Sequence, residues 1–262
     1  MLQRFTNKIA VVTGGAQGIG RATAERLGRE GGAIFIVDRA AEAAHATAKA
    51  LKAEGLDVEV EVADLSTWAG ASTAFDAIIR KAGRIDVLVN NVGGTIWIKP
   101  FLEYTEDEIK AEIDRSLWPT IWSCRAVAPH MVSRGTGSIV NVGSNSVRGI
   151  YRIPYATSKG GVMGLTTSLA IELAETGVRV NCVAPGGGIE TDALVRWMET
   201  LPGGRPSFER MSVRGKFGLP EEIAAAVLFL ATDEASLING AILPVDGGAT
   251  ARVPTVDLPK PA

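Results

Sequence analysis

Apolar and polar positions along the chain follow two alternating periods. Short runs rich in Val, Ile and Ala alternate with longer stretches whose apolar residues recur every three or four positions. The seven runs are KIAVVTGG, AIFIVDR, DVEVEVADL, IDVLVNN, GSIVNVGS, VRVNCVAPGG and AILPVDGG, and helical stretches such as GRATAERLGREG lie between them. Near-continuous apolar strands joined by helical crossovers predict an α/β fold of three layers, a doubly wound parallel sheet covered on both faces.

The pattern and the length of 262 residues indicate a single domain over 1–262. Two stretches interrupt the alternation. Residues 186–220 are rich in Gly, Pro and charge, which favours a lid over a binding site, although a plain surface excursion has the same composition. The Pro-containing tail at 249–262 has no periodic pattern and is predicted to be disordered or laid across a neighbouring subunit.

Charge and composition narrow the class of partner. With 27 basic and 29 acidic residues the formal charge is -2, so no basic field for nucleic acid or anionic lipid is expected. A small-molecule substrate is the better expectation. No signal peptide or membrane-spanning run is recognisable, which predicts a cytoplasmic protein.

The scarce cysteines and histidines exclude several kinds of site. Cys124 and Cys182 lie far apart and outside any CxxC pattern, so we expect buried thiols rather than a disulfide or a thiolate metal site. His45 and His130 are more plausible on helix surfaces than as ligands or bases. No metal is expected.

A glycine-rich turn, TGGAQGIG, follows the first predicted strand and opens the first helix. Gly14, Gly18 and Gly20 suit a tight turn, close approach of backbone to a pyrophosphate and close helix packing, while the helix N-terminus offers free N–H groups. Such a turn alone is weak evidence. Asp38 strengthens it, because it ends the second strand, where a carboxylate can accept hydrogen bonds from the adenosine ribose.

The second strand also bears on the choice of cofactor. The Asp38 carboxylate would repel the 2′-phosphate of NADP, and Gln17 stands where a phosphate-seeking site could place a cation. Arg39 favours the opposite choice, but the direct charge at the ribose favours NAD. Asp64, after the third strand, is a candidate for the adenine amino group, and the segment NNVGG, with Asn91 and Gly93, ends the fourth strand at the switch point of the sheet. Asp38, Asp64 and this segment have the alternative of being turn residues.

Tyr155 and Lys159 are four positions apart, which places both on one face of a helix. The pair alone is compatible with a packed Tyr beside a Lys that reaches past it to water. Its meaning depends on whether a cofactor site and a third polar group lie nearby.

Taken in order, the turn, Asp38, Asp64, NNVG, a Ser after the fifth strand, YATSK and a Pro-Gly turn after the sixth strand make the span 5–248 resemble the short-chain dehydrogenase/reductase family. The resemblance implies a Rossmann-like sheet, a homotetramer, and catalytic residues at Ser144, Tyr155 and Lys159. Lys159 and a cationic nicotinamide would then favour the phenolate of Tyr155, the base for an alcohol proton. The remaining cofactor-binding positions that it implies are Ile19, Pro185, Gly186 and Thr191.

Three departures from the family pattern narrow the subgroup. Ser116 stands where the family usually has Asn, and Pro119 is expected inside the same helix, where it would free the carbonyl of Arg115. The loop between Ser144 and Tyr155 is short, and three glycines follow Pro185. With NNVGGTIWIKPF and RSLWPT, these features resemble the subgroup that oxidises the cis-diol carboxylate made from benzoate, and Ser116 is counted with the catalytic residues.

A carboxylate substrate requires a cation. Arg148 and Arg152 in the short loop are candidates, with Arg196 in the presumed lid as a third, and each has the alternative of being a solvated surface charge. Trp97 and Trp197 are candidates for a flat wall against the ring, whereas Trp118 and Trp122 more often belong to a core or interface. Two other functions stay open: another alcohol or 3-oxoacyl oxidoreductase of the family, and a nucleotide-sensing protein without turnover.

Overall fold

The computed structural model describes residues 2–191, 194, 195, 198, 209 and 214–251. All the predicted runs form strands: β1 Ile9–Thr13, β2 Ala33–Asp38, β3 Val58–Val62, β4 Val87–Asn90, β5 Gly137–Val142, β6 Val178–Pro185 and β7 Ile242–Val245. The helices that connect them are α1 Gly18–Arg29, α2 Ala41–Ala53, α3 Trp68–Ala82, α4 Glu106–Ser116, α5 Trp118–Arg134, α6 Ile153–Glu172 and α7 Pro220–Ala231. A 3-10 turn, Asn145–Arg148, precedes α6.

The strands form one parallel sheet in the order β3-β2-β1-β4-β5-β6-β7. The order reverses between β1 and β4, so the carboxyl ends of these two strands open a crevice at the switch point. This is the predicted Rossmann-like fold. Asn91 spans the crevice, since Thr13 Oγ1 accepts a hydrogen bond from the Asn91 N–H at 3.0 Å and Asn91 Nδ2 donates to Gly14 O at 3.0 Å.

Alternation along the strands produces two cores. In β1, Ala10 and Val12 join the core that packs under α1, α2 and α7, while Val11 joins the core under α3, α5 and α6. All three side chains are fully buried. A strand buried on both faces needs apolar residues at successive positions, which is why the runs read as continuous in the sequence.

The α4–α5 junction corrects one prediction. Pro119 does not lie inside a continuous helix: α4 ends at Ser116, and Pro119 occupies the first turn of α5. A proline is tolerated there because the N–H that it lacks would have had no helical partner. The break sets the end of α4, and therefore Ser116, at the side of the crevice.

Several predictions fall outside the described residues. Most of the presumed lid does, with Arg196 and Trp197, and so do residues 252–262 of the tail. Within the part of the chain that the structure describes, no cluster of His, Cys, Asp and Glu could hold a metal ion. No described helix is long and apolar enough to cross a membrane.

Candidate active site

The glycine-rich turn lies between β1 and α1 at the switch point. Gly14 and Gly18 have φ values of 63° and 56°, which favour glycine over residues with a side chain. A Cβ on Gly20 would overlap the Gly14 carbonyl, so α1 can approach the turn only with glycine there. The turn, Gln17 and Ile19 thus surround the N-terminus of α1, a cradle that fits a dinucleotide pyrophosphate.

Asp38 closes this cradle at the end of β2. Its carboxylate accepts hydrogen bonds from the Ala16 N–H at 3.2 Å and the Ala40 N–H at 3.0 Å. The side chain therefore also holds the glycine-rich turn in place, a structural task that the sequence did not reveal. A carboxylate has further acceptor sites, so two hydrogen bonds leave room for a ribose hydroxyl.

Asp64 is exposed beyond β3, and its carboxylate accepts a hydrogen bond from the Ser66 N–H at 2.9 Å. The pKa of Asp64 is lowered, mainly by that backbone hydrogen bond and further by the positive charge of Arg39. Arg39 is therefore close enough to act on the Asp64 carboxylate.

Ser144, Tyr155 and Lys159 come together at the carboxyl end of β5. Ser144 follows the strand and is buried, whereas Tyr155 and Lys159 share one face of α6. Ser144 Oγ accepts a hydrogen bond from the Ser146 N–H at 3.0 Å, and its hydroxyl is near enough to the phenol of Tyr155 to lower the phenol's pKa. Lys159 Nζ donates a hydrogen bond to the Val142 carbonyl at 2.8 Å. This bond holds the Lys159 side chain of α6 against the end of β5.

Burial and neighbouring charges act on the ionisation of Tyr155, while the effect of a cationic nicotinamide on the phenol stays a prediction. Burial raises the pKa of Tyr155, the Ser144 hydrogen bond and the Arg152 charge lower it, and the Glu112 charge raises it, with a net rise. Burial lowers the pKa of Lys159 itself to about 8. Burial therefore disfavours the charged form of each of these two side chains.

Gly93 and Ser116 line the other side of Lys159. A Cβ on Gly93 would lie 2.8 Å from Lys159 Nζ and 3.6 Å from the Ser116 Cα, so only glycine fits without displacing the ammonium. Ser116 Oγ accepts a hydrogen bond from the Gly94 N–H at 3.3 Å. Ser116 thus holds the segment after β4 against α4, at the position where the sequence departs from its family.

The strand β6 brings the last group of predicted cofactor residues to the same edge. Pro185 ends the strand, and a Cβ on Gly186 would overlap the Asn145 amide, which donates to Asp246 at 3.2 Å. Thr191 lies within reach of the glycine-rich turn, since its Cγ2 is 3.3 Å from where a Gly18 Cβ would be. These residues close the crevice from the β6 side.

The predicted substrate residues that the structure describes differ in exposure. Arg152 is half-buried at the start of α6, close enough to Tyr155 for its charge to lower the pKa of the phenol. Arg148 is exposed at the end of the 3-10 turn. Trp97 is half-buried after β4, and Tyr104 Oη donates to its carbonyl at 2.7 Å.

Trp118 and Trp122 belong to a separate aromatic cluster. Their rings stack at 5.1 Å with an interplanar angle of 10°, and Trp122 also meets Trp68 of α3 at 6.0 Å. This places them on the α3–α5 surface, half-buried, and the predicted role in a core or an interface stays a prediction.

The cysteines are buried and the histidines lie on α2 and α5, and of these four residues Cys182 is the one that acts on Lys159. Burial raises the pKa of Cys124 to about 12 and that of Cys182 to about 11, and both thiols are free. His45 is exposed on α2, and burial lowers the pKa of His130 on α5. His130 is therefore partly inside the molecule, whereas the sequence suggested a surface position.

Glu112 is the residue that sequence reasoning missed. It is fully buried on α4, one turn before Ser116, and Oε1 accepts hydrogen bonds from the Ile96 and Trp97 N–H groups at 2.7 and 3.0 Å. The only signal in the sequence was its spacing of four from Ser116, which puts both on one helix face.

Known proteins resemble this chain over nearly its whole length. Residues 8–201 match the family model for short chain dehydrogenase. The chain is 47% identical to a 1,6-dihydroxycyclohexa-2,4-diene-1-carboxylate dehydrogenase of Acinetobacter baylyi, covering 94% of this chain and 97% of that protein. A 2,3-dihydroxy-2,3-dihydro-p-cumate dehydrogenase of Pseudomonas putida is 39% identical, with 93% and 94% covered. The crystal structure of levodione reductase superposes with a TM-score of 0.90 at 34% identity, covering 95% of this chain and 100% of that one.

Proposed function

Because the chain belongs to the short chain dehydrogenase family and is an oxidoreductase, we propose that it oxidises a cis-dihydrodiol carboxylate with NAD and yields catechol and CO2. The specific substrate is 1,6-dihydroxycyclohexa-2,4-diene-1-carboxylate, which the similar enzymes of Acinetobacter baylyi and Pseudomonas putida are named for. The observation that carries the proposal is the placement of Ser144 after β5 beside α6, which carries Tyr155 and Lys159 on one face and has Arg152 as its N-cap.

The substrate's own chemistry determines which bond reacts. The carbon that bears the carboxylate carries a hydroxyl and no hydrogen, so only the neighbouring secondary alcohol can lose a hydride. When bound, the nicotinamide ring of NAD accepts that hydride. Oxidation leaves a ketone β to the carboxylate, and loss of CO2 from such an acid is driven further by formation of the aromatic ring. The protein therefore has to catalyse one oxidation.

The chain's residues supply the proton transfer and the positioning. We assign Tyr155 as the base for the alcohol proton, Ser144 as the hydrogen-bond donor to the same oxygen, and Lys159 and Ser116 as supporting groups in the catalytic set. Positive charge near the phenol lowers its pKa, and Arg152 already contributes such charge. The glycine-rich turn with Gln17 and Ile19, and Asp38, Asp64, Asn91, Gly93, Pro185, Gly186 and Thr191, are the proposed cofactor contacts.

Arg152 is the proposed partner of the substrate carboxylate, because a guanidinium pairs with a carboxylate through two parallel hydrogen bonds. Trp97 is the proposed wall of the ring pocket. Arg148, which is exposed, is the weaker candidate.

Steady-state kinetics on two substrates test the proposal. The purified protein should reduce NAD with the diol acid and release catechol and CO2 in equal amounts. Arg152→Ala should cost about 2 to 5 kcal/mol in kcat/KM for the acid, the scale for leaving a desolvated charge unpaired. The loss should be much smaller for a cis-dihydrodiol without the carboxylate, and Arg148→Ala is the matched control.

Two results would count against the proposal. Equal losses on both substrates would mean that Arg152 supports the loop or the ionisation of Tyr155 and does not bind the acid. Turnover of a 3-oxoacyl substrate or a simple alcohol with no oxidation of the diol acid would replace the substrate assignment and leave the family in place.

We also propose that the protein is a cytoplasmic homotetramer. Both cysteines are free and buried, which suits a reducing compartment. Exposed apolar side chains near α7, including Leu219 and Phe229, are available to an interface between copies. Light scattering coupled to size-exclusion chromatography measures the number of subunits.

A further inference from the structure

Glu112 is a carboxylate with 0% exposure in the wall of the site. Its Oε1 accepts both backbone hydrogen bonds from Ile96 and Trp97, and its Oε2 has no partner among the described residues. Burial of a charged group is unfavourable unless hydrogen bonds compensate for the lost water. An apolar side chain at this helix position would avoid the desolvation cost of a carboxylate. Packing alone therefore does not explain a Glu here.

The surroundings of Glu112 connect it to the reacting groups. Helix α4 packs against α6 here. Ser158, which precedes Lys159 in the chain, donates a hydrogen bond from Oγ to the backbone carbonyl of Glu112 at 3.5 Å. One turn further along α4, Ser116 holds Gly94. Glu112 and Ser116 together therefore attach the segment after β4, residues 94–97, to the helix pair that carries the catalytic group.

We propose that Glu112 is a positioning residue of the oxidation site, which fixes the Ile96–Trp97 backbone as the substrate-facing wall against α4 and α6. The inference rests on the proposed function, because Trp97 is assigned to the ring pocket there. Because both backbone N–H groups donate to one carboxylate oxygen, the orientation of the two peptide planes is fixed. The position of the Trp97 Cα, from which its side chain extends, is fixed with them.

The carboxylate also has an electrostatic effect, which its replacement can reveal. The charged groups that act on Tyr155 are Arg152, before α6, and Glu112, on α4, while Lys159 on the same helix faces Cys182 of β6. The negative charge of Glu112 raises the pKa of Tyr155. Removing that charge lowers the pKa of the phenol, so the base form becomes available at lower pH.

The test compares Glu112→Gln, which keeps an acceptor oxygen for both amides, with Glu112→Ala, which removes it. Asp114→Asn, on the same helix and exposed, is the matched control for loss of one charge. Glu112→Ala should raise KM for the diol acid roughly tenfold or more. The reason is that a displaced Ile96–Trp97 segment would bind the substrate more weakly and align it less well. Glu112→Gln should keep KM near that of the parent and move the acid limb of kcat/KM to lower pH.

Two measurements need no substrate, so failure of this inference and failure of the proposed function are distinguishable. Hydrogen exchange of the peptide that contains Ile96 and Trp97 should accelerate roughly tenfold in Glu112→Ala and stay near the parent rate in Glu112→Gln. The ultraviolet titration of tyrosinate, corrected with Tyr155→Phe partners, should shift downward in both Glu112 variants, which lose the charge, and not in Asp114→Asn.

The inference is overturned if exchange at 96–97 is unchanged in Glu112→Ala. It is also overturned if Glu112→Gln matches Glu112→Ala in KM and in exchange, since the residue would then matter only to folding. If the diol acid is not oxidised by the parent, the exchange and titration results still decide the role of Glu112.

Discussion

Burial of Lys159 disfavours its charged form, whereas its proposed role in the site requires a positive charge. Lys159 is 2% exposed, and burial lowers its pKa from 10.5 to about 8. That difference corresponds to about 3 kcal/mol of unfavourable free energy for the charged form in the folded protein. The hydrogen bond from Nζ to the Val142 carbonyl recovers only part of this cost.

We therefore expect Lys159→Met to abolish turnover and to raise the free energy of unfolding at pH 7 by about 1 to 3 kcal/mol. Between the folded pKa of about 8 and the unfolded value of 10.5, the unfolded chain binds the extra proton, so the parent gains stability as pH rises. The advantage of the variant should shrink across that window. Urea unfolding at pH 7 and above pH 10 measures it, and a gain that is equal at both pH values would contradict the electrostatic origin.

Asp38 allows a second residue-scale prediction. Asp38→Asn keeps an acceptor for the turn amides but removes the charge that would repel a ribose phosphate. The ratio of kcat/KM for NAD to that for NADP should fall roughly tenfold or more. Asp64→Asn, an exposed carboxylate nearby, is the control. An unchanged ratio in Asp38→Asn would leave the residue with its structural role alone.

Sequence spacing anticipated the residues near the phenol better than their ionisation. Tyr155 and Lys159 share a face because helical periodicity is local, and Ser144 follows a strand end that hydrophobicity marks clearly. The raised pKa of Tyr155 depends on how deeply the phenol is buried and on Glu112, which lies 43 positions earlier in the chain. Neither the depth nor that contact leaves a local pattern.

At the scale of elements, the strands were predictable and the α4–α5 break was not. Each strand is a run that must be apolar on both faces, so its pattern is continuous. Around Pro119 the apolar spacing continues across the break, and a proline is compatible with either a kink or a first turn. The structure takes the second arrangement, and Leu117 links the two helices.

The two prolines of α5 provide a matched comparison. Pro119 lies in the first turn, whereas Pro129 lies inside the helix and is exposed. Pro129→Ala should restore a helical N–H and increase the free energy of unfolding by about 1 to 2 kcal/mol, after the loss of the rigidity that proline gives the unfolded chain. Pro119→Ala should change it by less than about 1 kcal/mol. Guanidinium unfolding measures both, and the reverse ranking would contradict the assigned helix boundary.

Across the whole molecule, paired carboxylates connect distant segments. Glu30, the C-cap of α1, accepts hydrogen bonds from Arg4 and Arg26, and Asp86 before β4 accepts from Arg84 and Arg134. Asp246 after β7 accepts from Asn145 and Thr250. Burial alone would raise the pKa of all three, but these partners outweigh it and the pKa of each is lowered.

A carboxyl whose folded pKa is lowered stabilises the protein above the unfolded value and loses that contribution as pH falls. The free energy of unfolding should therefore decrease as pH falls below about 4. Glu30→Gln should be less stable than the parent at pH 7 by about 1 to 3 kcal/mol and should show a shallower decrease in acid. Glu42→Gln, on the exposed face of α2, should match the parent at every pH. Parallel pH curves for Glu30→Gln and the parent would contradict the assignment.

The two buried thiols have a consequence for chemical durability. Catechol, the proposed product, oxidises in air to an ortho-quinone, an electrophile that adds to thiolates. Cys124 and Cys182 are 2% and 0% exposed, and with pKa values of about 12 and 11 they hold almost no thiolate at neutral pH. Burial and a high pKa therefore protect both cysteines of an enzyme that releases catechol from alkylation by the ortho-quinone.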